Sequence, residues 1–438
     1  SSRRRHTRYW RDWSSDVCSS DLTLADNSNS ASGDFTTAGL SSPFSWQNGL
    51  TSRSADSLVV DTSAGAQTIS LGASTNVLTL TSGAILFTGA NGGTLSGGQV
   101  GASGSELIVH QLGAGTFTIA GQVGAAGSSL LKTGTGKLVL SGANAYTGTT
   151  TVNAGTLEAG QSNNAFGSGS AVTIAAGATL GLAGFSNSIG SLAGAGTVDL
   201  SNARLNVGSD NSSTVFSGLL TDLGSSANRG SLTKSGKGSL ILSNSANSFG
   251  GNIAVAQGEL VALGAGSLGT GTTTISVGGD GAVGGGTLLL TSADLGLGDT
   301  TPVLSRNLSL SGWGTSGLVS SPYTVATAQT YLTARGALSG LGNFSVTGAV
   351  TLSPFTSTKV YSNFGTLAFG STVTLSSGST SYLGSGSGNT VQNNNITITG
   401  QLTGGATTNI LQKVGGGTLW LANSTNNFTN YKIGRAHV

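Results

Sequence analysis

Apolar and polar residues alternate in short runs along most of the chain: SLVVDT, NVLTLT, ELIVHQ, TFTIAG, AVTIAA, TVDLSN, LSLSG, FSVTG and ITITG, each bounded by clusters of Gly, Asn and Ser. Alternation with period two places the apolar set on one face of a strand. The clusters between runs supply the turns. No long segment shows apolar residues at i, i+3, i+4 and i+7 without glycine interruption, so helices are not expected. No run of about 20 apolar residues occurs, so no helical membrane span is expected either.

One pattern of strands and turns occurs three times. From Leu130 the chain reads LLKTGTGKLVLSGANAYTGTTTVNAGTL, from Leu232 LTKSGKGSLILSNSANSFGGNIAVAQGEL, and from Leu411 LQKVGGGTLWLANSTNNFTNY. Each copy is a lysine, a Gly-x-Gly turn, a Leu-x-Leu strand and an Asn-x-aromatic turn; a second strand follows in the first two. Leu138 and Leu140 correspond to Leu240 and Leu242 and to Leu419 and Leu421, while the residue between them is Val139, Ile241 or Trp420. The leucines are therefore expected inside, at about 1.5 to 3 kcal/mol each, and the variable middle residue outside. Gly134, Gly236 and Gly415, each followed two residues later by another glycine, mark a tight bend that needs positive φ. Asn144, Asn247 and Asn426 are expected to tolerate the left-handed region and bond their own turns, with Tyr146, Phe249 and Phe428 closing the end of the core.

The minimal Gly-x-Gly unit starts at Gly113, Gly134, Gly194, Gly236, Gly284 and Gly415. Most of the separations lie near multiples of about 20 to 24 residues, the size of one coil in a stacked solenoid. The step from Gly236 to Gly284 fits least well. The expected fold class is all-β, a right-handed parallel β-helix (solenoid) of roughly 20–24 residues per coil. An array of β-sandwiches would repeat about every 100 residues, without this finer period.

Composition changes the picture at the two ends. Asp16 to Leu22, DVCSSDL, and Lys432 to Val438, KIGRAHV, can be encoded by reverse-complementary DNA that resembles a common short-read sequencing adapter. Residues 1–22 and 432–438 are therefore expected to be translated adapter outside the fold, leaving 23–431 as the β-helix, with repeats at 130–157, 232–260 and a truncated 411–431. Without them Lys plus Arg falls from 18 to 11 and Asp plus Glu from 16 to 13, so the net charge turns from +2 to −2. The arginine-rich start then implies no nucleic-acid partner. Cys18, the one cysteine, leaves as well, which excludes disulfides and thiolate metal sites in the remaining segment. At roughly 22 residues per coil that segment makes about 18 or 19 coils.

Candidate chemistry is sparse. Polysaccharide-cleaving β-helices need carboxylates paired at a few ångströms, and those here are scattered: Asp56 with Asp61, Asp294 with Asp299, and single Glu106, Glu158, Asp199, Asp210, Asp222 and Glu259. Of these, Asp56 and Asp61 lie around one strand and are expected to cap its ends in solvent. His110 ends ELIVH with no Ser or Asp constellation and is expected on the strand surface. VGGDGAVGGG holds only Asp280, too little for a tandem calcium motif, and is expected as a glycine bend. Lys132, Lys234 and Lys413 recur at one repeat position and are expected to serve solubility or edge protection. Asn393, Asn394 and Asn395 are expected in a stacked asparagine ladder. Trp313, Tyr323, Tyr331 and Tyr361 fall in a less repetitive stretch, the place to look for a carbohydrate or protein contact. No catalytic, metal or cofactor residue is assigned.

The segments from Leu130, Leu232 and Leu411 resemble the passenger-associated transport repeat, also called the autotransporter-associated β-strand repeat. The resemblance covers roughly a fifth of the chain. It implies a non-enzymatic β-helical passenger, exported across the outer membrane as a structural stalk or adhesin, whose repeats fold outside the cell and assist export. It further implies a translocator barrel or a sorting segment as partner, and contact with host or environmental glycans or proteins. A carbohydrate-active β-helix, lyase or hydrolase, is the alternative expectation.

Overall fold

The computed structural model describes residues 52–167, 169–223, 230–278, 285–291, 301–315, 336–353, 357–378, 380–384, 394–404 and 409–428, together with the backbone pairing of Phe35–Thr36, Phe44–Ser45 and Tyr431–Ile433. Asp280, Asp294, Asp299, Tyr323, Tyr331 and Asn393 lie outside the described residues. Contacts divide the chain into two compact units, 1–158 and 159–438. Each is a parallel β-solenoid, and the turn averages about 23 residues. The described residues form about 14 turns rather than 18 or 19.

In the first unit one column of Cα partners runs Leu58, Ile85, Val109, Lys132, Val152, each step adding one coil. A second sheet stacks Ile69 on Leu95, Leu95 on Ile119 and Ile119 on Leu140. In the second unit an interior column runs Ile189, Val207, Lys234, Val255, Val277, Leu310, Leu352, Leu375. The steps are uneven. Leu288 pairs directly with Leu338, and Leu308 with Val350, so in each case the chain spends nearly two coil lengths to gain one coil.

Alternation places side chains as expected in most strands. Leu138, Leu140, Leu240 and Leu242 are at most 1% exposed, while Val139 is half-buried and Trp420 is 63% exposed. Ile241 differs. It is fully buried and packs with Val261, Leu289 and Leu341, with Leu263 and Phe364 beside them. Ile241, Val261 and Leu289 are register partners on the face opposite Leu240, Leu260 and Leu288, so this sheet is covered on both sides, as parallel strands commonly are. The strands Gly286–Thr291 and Leu338–Leu341 are buried at every position for that reason. Helix is confined, among the described residues, to one short 3-10 turn, Ala265–Leu268.

The asparagine ladder does not form at Asn394. Its register partner in the preceding coil is Gly365, and a Cβ on Gly417 of the following coil would fall 2.5 Å from the Asn394 Oδ1. A fully buried asparagine is thus sandwiched by glycines instead of stacking on its own kind.

Leu240→Ala is expected to cost about 2–5 kcal/mol through the cavity left between its stacked neighbours, whereas Trp420→Ala stays within about 0.5 kcal/mol. Hydrogen exchange of the strands Ser239–Leu242 and Leu419–Leu421 checks both; equal loss of protection in the two variants contradicts the inside–outside assignment.

Candidate functional site

In two of its three copies the recurring lysine is not a surface residue. Lys132 and Lys234 are 0% and 1% exposed, because each occupies an inward position: Lys132 stacks between Val109 and Val152, and Lys234 between Val207 and Val255. The expectation of solubility or edge protection is corrected here. The alternation that puts Leu130 and Leu232 inside puts the residue two positions on inside as well. The aliphatic stem continues the apolar column, and the ammonium bends back toward the adjacent corner.

At that corner, Gly134 and Gly236 hold φ of 73° and 66°, a left-handed bend that directs carbonyls toward the interior. The Lys132 Nζ donates to the Thr133 carbonyl at 2.9 Å, the Gly134 carbonyl at 2.8 Å and the Ala154 carbonyl at 3.1 Å. Lys234 repeats the arrangement, donating to Ser235 at 2.5 Å, Gly236 at 2.8 Å and Gln257 at 3.3 Å. Two acceptors come from the lysine's own corner and the third from the corner of the following coil. Three N–H donors meet three carbonyls, which satisfies the ammonium completely. Corner must approach corner closely for this. A Cβ on Gly155 would sit 2.5 Å from the carbonyl oxygens of both Gly134 and Gly136, and one on Gly258 would lie 2.8 Å from the Lys234 Nζ. Lys413 occupies the equivalent position and donates to Gly415 and to Gly416, the latter at 2.9 Å.

Burial pushes both ammonium groups down to about 8. For Lys234 the carboxylates of Glu259 and Asp210 partly oppose that shift. Glu259, itself fully buried, accepts from the Ser239 hydroxyl at 3.1 Å. Both lysines therefore remain mainly protonated at neutral pH and titrate below their ordinary range.

The asparagines do a second job that local turn rules miss. The Asn144 Oδ1 accepts from the Val123 N–H at 2.7 Å, Asn247 from Leu220 at 2.8 Å and Asn426 from Leu402 at 2.8 Å. Each acceptor thus binds the backbone of the preceding coil, and Asn247 also donates to the Ser267 carbonyl at 2.7 Å. None of the three has positive φ, which corrects the expected left-handed turn. The neighbouring aromatics close the core as expected in two copies: Tyr146 and Phe249 are fully buried, and the Tyr146 hydroxyl lies 2.9 Å from the Thr150 Oγ1.

Arg306 had no role assigned from the sequence. It is 1% exposed, donates to the carbonyls of Gly251 at 2.7 Å and Phe249 at 3.1 Å and to the Thr273 hydroxyl at 3.0 Å, and lies 5.3 Å from the centre of the Phe249 ring. The signal was rarity: with only 8% charged residues, an arginine two residues before an LSL strand needed a partner.

The fold brings some of the scattered acids near each other: Glu259 and Asp210 both act on Lys234, and Asp199 and Asp222 lie on adjacent coils, each accepting from the other's turn. Asp56 accepts from the Thr81 hydroxyl at 2.7 Å, and Asp61 from the Ser63 N–H at 2.9 Å and the Thr88 hydroxyl at 3.3 Å, bonds that hold its carboxyl below the usual range. Five positions along one strand separate them by roughly 15 Å, too far for a cleaving pair. Asp199 and Asp222 are occupied by turn N–H groups, and Glu158 pairs with Lys137 at 2.8 Å. The His110 Nδ1 lies 2.6 Å from the Thr133 hydroxyl of the next coil, and burial, then Lys132, pull its pKa down. No group of three or more His, Cys, Asp or Glu able to hold a metal occurs among the described residues.

Removal of the clasp by Lys132→Met or Lys234→Met leaves buried carbonyls unpaired and is expected to cost about 3 kcal/mol, against less than about 1 kcal/mol for Lys413→Met, measured by urea unfolding with hydrogen exchange. Alkaline pH gives a separate test. Between about 8 and 10.5 the unfolded chain holds protons that Lys132 and Lys234 have shed in the fold, so stability rises with pH. Above 10 the unfolded tyrosines ionise while Tyr146 and Tyr361 stay protonated, Tyr361 pushed up to about 12 by burial and then by Tyr382, so stability falls. The melting temperature is expected to peak near pH 10; a steady decline from pH 8 contradicts the depressed lysines.

With this geometry in place, comparison with known proteins is specific. The Passenger-associated-transport-repeat family matches at residues 130–159 and 232–262, the two segments with complete clasps. The adhesin BmaC autotransporter of Brucella suis biovar 1 (strain 1330) is 38% identical over 203 residues. The match takes in 44% of this chain and 6% of that protein, so the chain spans a small part of that relative's length. No solved structure matches the chain. Residues 130–159 and 232–262 thus match the passenger-associated transport repeat, on a chain that resembles part of an autotransporter adhesin.

Proposed function

We propose that the chain is the β-solenoid of an autotransporter-type passenger, non-enzymatic, displayed outside the cell as a stalk or adhesin. The observation that carries this reading is the coincidence of the two family matches with the two complete lysine clasps, together with the likeness to an adhesin. Each clasp forms only when the following coil is in place, which suits repeats that gain stability as coils are added. The carboxylates of Asp56, Asp61 and Asp222, already bonded to turn or strand donors, favour this reading over a polysaccharide lyase or hydrolase. The partners it requires are a translocator barrel or sorting segment and a surface glycan or protein to hold. Residues 1–22 and 432–438 are proposed to be adapter sequence outside the passenger.

Fused ahead of a translocator barrel in a Gram-negative host, the chain is expected to reach the cell surface, become accessible to external protease and increase adherence to epithelial cells or matrix-coated plates. It is expected to leave acidic and neutral polysaccharides intact. Turnover abolished by D56N together with D61N sinks the non-enzymatic reading, and retention in the periplasm sinks the export reading. Reading outward through both ends of the source DNA tests the adapter assignment, which fails if DVCSSDL and KIGRAHV persist in the gene.

A further inference from the structure

Trp313 is one of few large apolar side chains left in solvent, 58% exposed, and it is not an isolated surface ring. The Lys359 Nζ stands 3.9 Å from the centre of its indole. The pairing is built from the backbone: the Lys359 N–H donates to the Gly312 carbonyl at 3.2 Å, and the next residues along, at Thr315, are fixed by the Thr287 hydroxyl, which accepts from the Thr315 N–H at 2.9 Å. Lys359 lies on the outer face of the strand Thr358–Phe369, since its neighbours Thr358 and Val360 are both fully buried. In the next coil its register partner is Tyr382, half-buried between buried Ser381 and Leu383, and in the coil after that Gln412, half-buried beside buried Leu411. Tyr361, two positions from Lys359 and almost wholly buried, lies close enough to Tyr382 that the second phenol helps raise its pKa.

The outer face therefore presents, in order along the stacking direction, an indole with an ammonium against it, a phenol and a carboxamide. The partner of the Lys359 charge is the Trp313 indole rather than an acid. Indole and phenol faces stack on the C–H face of a pyranose ring. The phenol and carboxamide supply hydrogen bonds for hydroxyl groups, and the ammonium supplies the charge for a carboxylate. Successive coils stand about 4.8 Å apart, close to the length of one pyranose unit, so a linear chain lying along the stack meets one side chain per sugar.

We propose that Trp313, Lys359, Tyr382 and Gln412 form a binding site for an acidic glycan, a chain of uronic acid units. The site rests on the adhesin reading and names the ligand class for it. The site is open on the outer face and requires no metal.

The test is titration of the full chain with oligogalacturonate and, in parallel, with a neutral dextran oligomer of the same length, followed by calorimetry. Oligogalacturonate is expected to bind, dextran not. W313A and K359Q are each expected to weaken binding at least tenfold and K359R less than threefold; added salt weakens binding in the unmodified chain and has little further effect in K359Q. W420A, which removes the other exposed tryptophan among the described residues, is expected to bind as the unmodified chain does. Both substituted side chains are on the outer face, and an unchanged melting temperature confirms that each variant is folded. No binding of oligogalacturonate, equal binding of dextran, or undiminished binding by W313A and K359Q overturns the site. The same variants displayed on cells separate this outcome from the broader one: adherence that survives W313A and K359Q while the site fails leaves the adhesin reading standing, whereas no adherence by the unmodified chain removes that reading too.

Discussion

A parallel solenoid must dispose of the carbonyls at its corners. Strand ladders satisfy backbone groups along the flat faces, but each corner turns some of them away from the ladder and into a space that water does not reach, where an unpaired group is costly. In this chain the repeats answer with a lysine ammonium at one corner and an asparagine carboxamide at another, and both reach into an adjacent coil. The first clasp points to the following coil and the second to the preceding one. A repeat is thereby bonded in both directions by side chains as well as by strands.

This explains why a lysine can persist in an apolar column. A lone buried ammonium is destabilising, and the same position filled by valine or leucine packs well, as the columns through Val255, Val277 and Leu310 show. The lysine is tolerable where a left-handed glycine turns its carbonyl inward two residues later. Gly134 and Gly236 meet that condition, and the glycines that follow in the next coil, Gly155 and Gly258, keep the third acceptor within reach. Lysine and glycines form one unit, and none of them can be changed independently.

Much of the fold was legible because period two and the Gly-x-Gly bend are local signals. The same alternation that places Leu138 and Leu140 inside also places Lys132 inside; the usual rule that charged residues are exposed argues otherwise, and it loses to three convenient carbonyls. Ile241 could not be placed from its own repeat, since what covers the outer face there comes from register with Val261 and Leu289, one and two coils further on. The partners of Asn144 and Asn247 lie in the preceding coil, beyond the reach of turn propensities. Trp313 was visible as an aromatic in an irregular stretch, but Lys359, which makes it a charged platform, belongs to a strand far along the sequence.

The burial of Lys132, Lys234 and Arg306 bears on resistance to proteolysis. Trypsin-like proteases need a lysine or arginine on a segment that can leave the fold and enter their cleft. Lys132, Lys234 and Arg306 are sealed inside coils and bonded to backbone carbonyls, so cutting at them requires opening the solenoid itself. These three positions offer such enzymes little to hold, which leaves exposed basic residues such as Lys237 and Arg204 as the accessible points of attack.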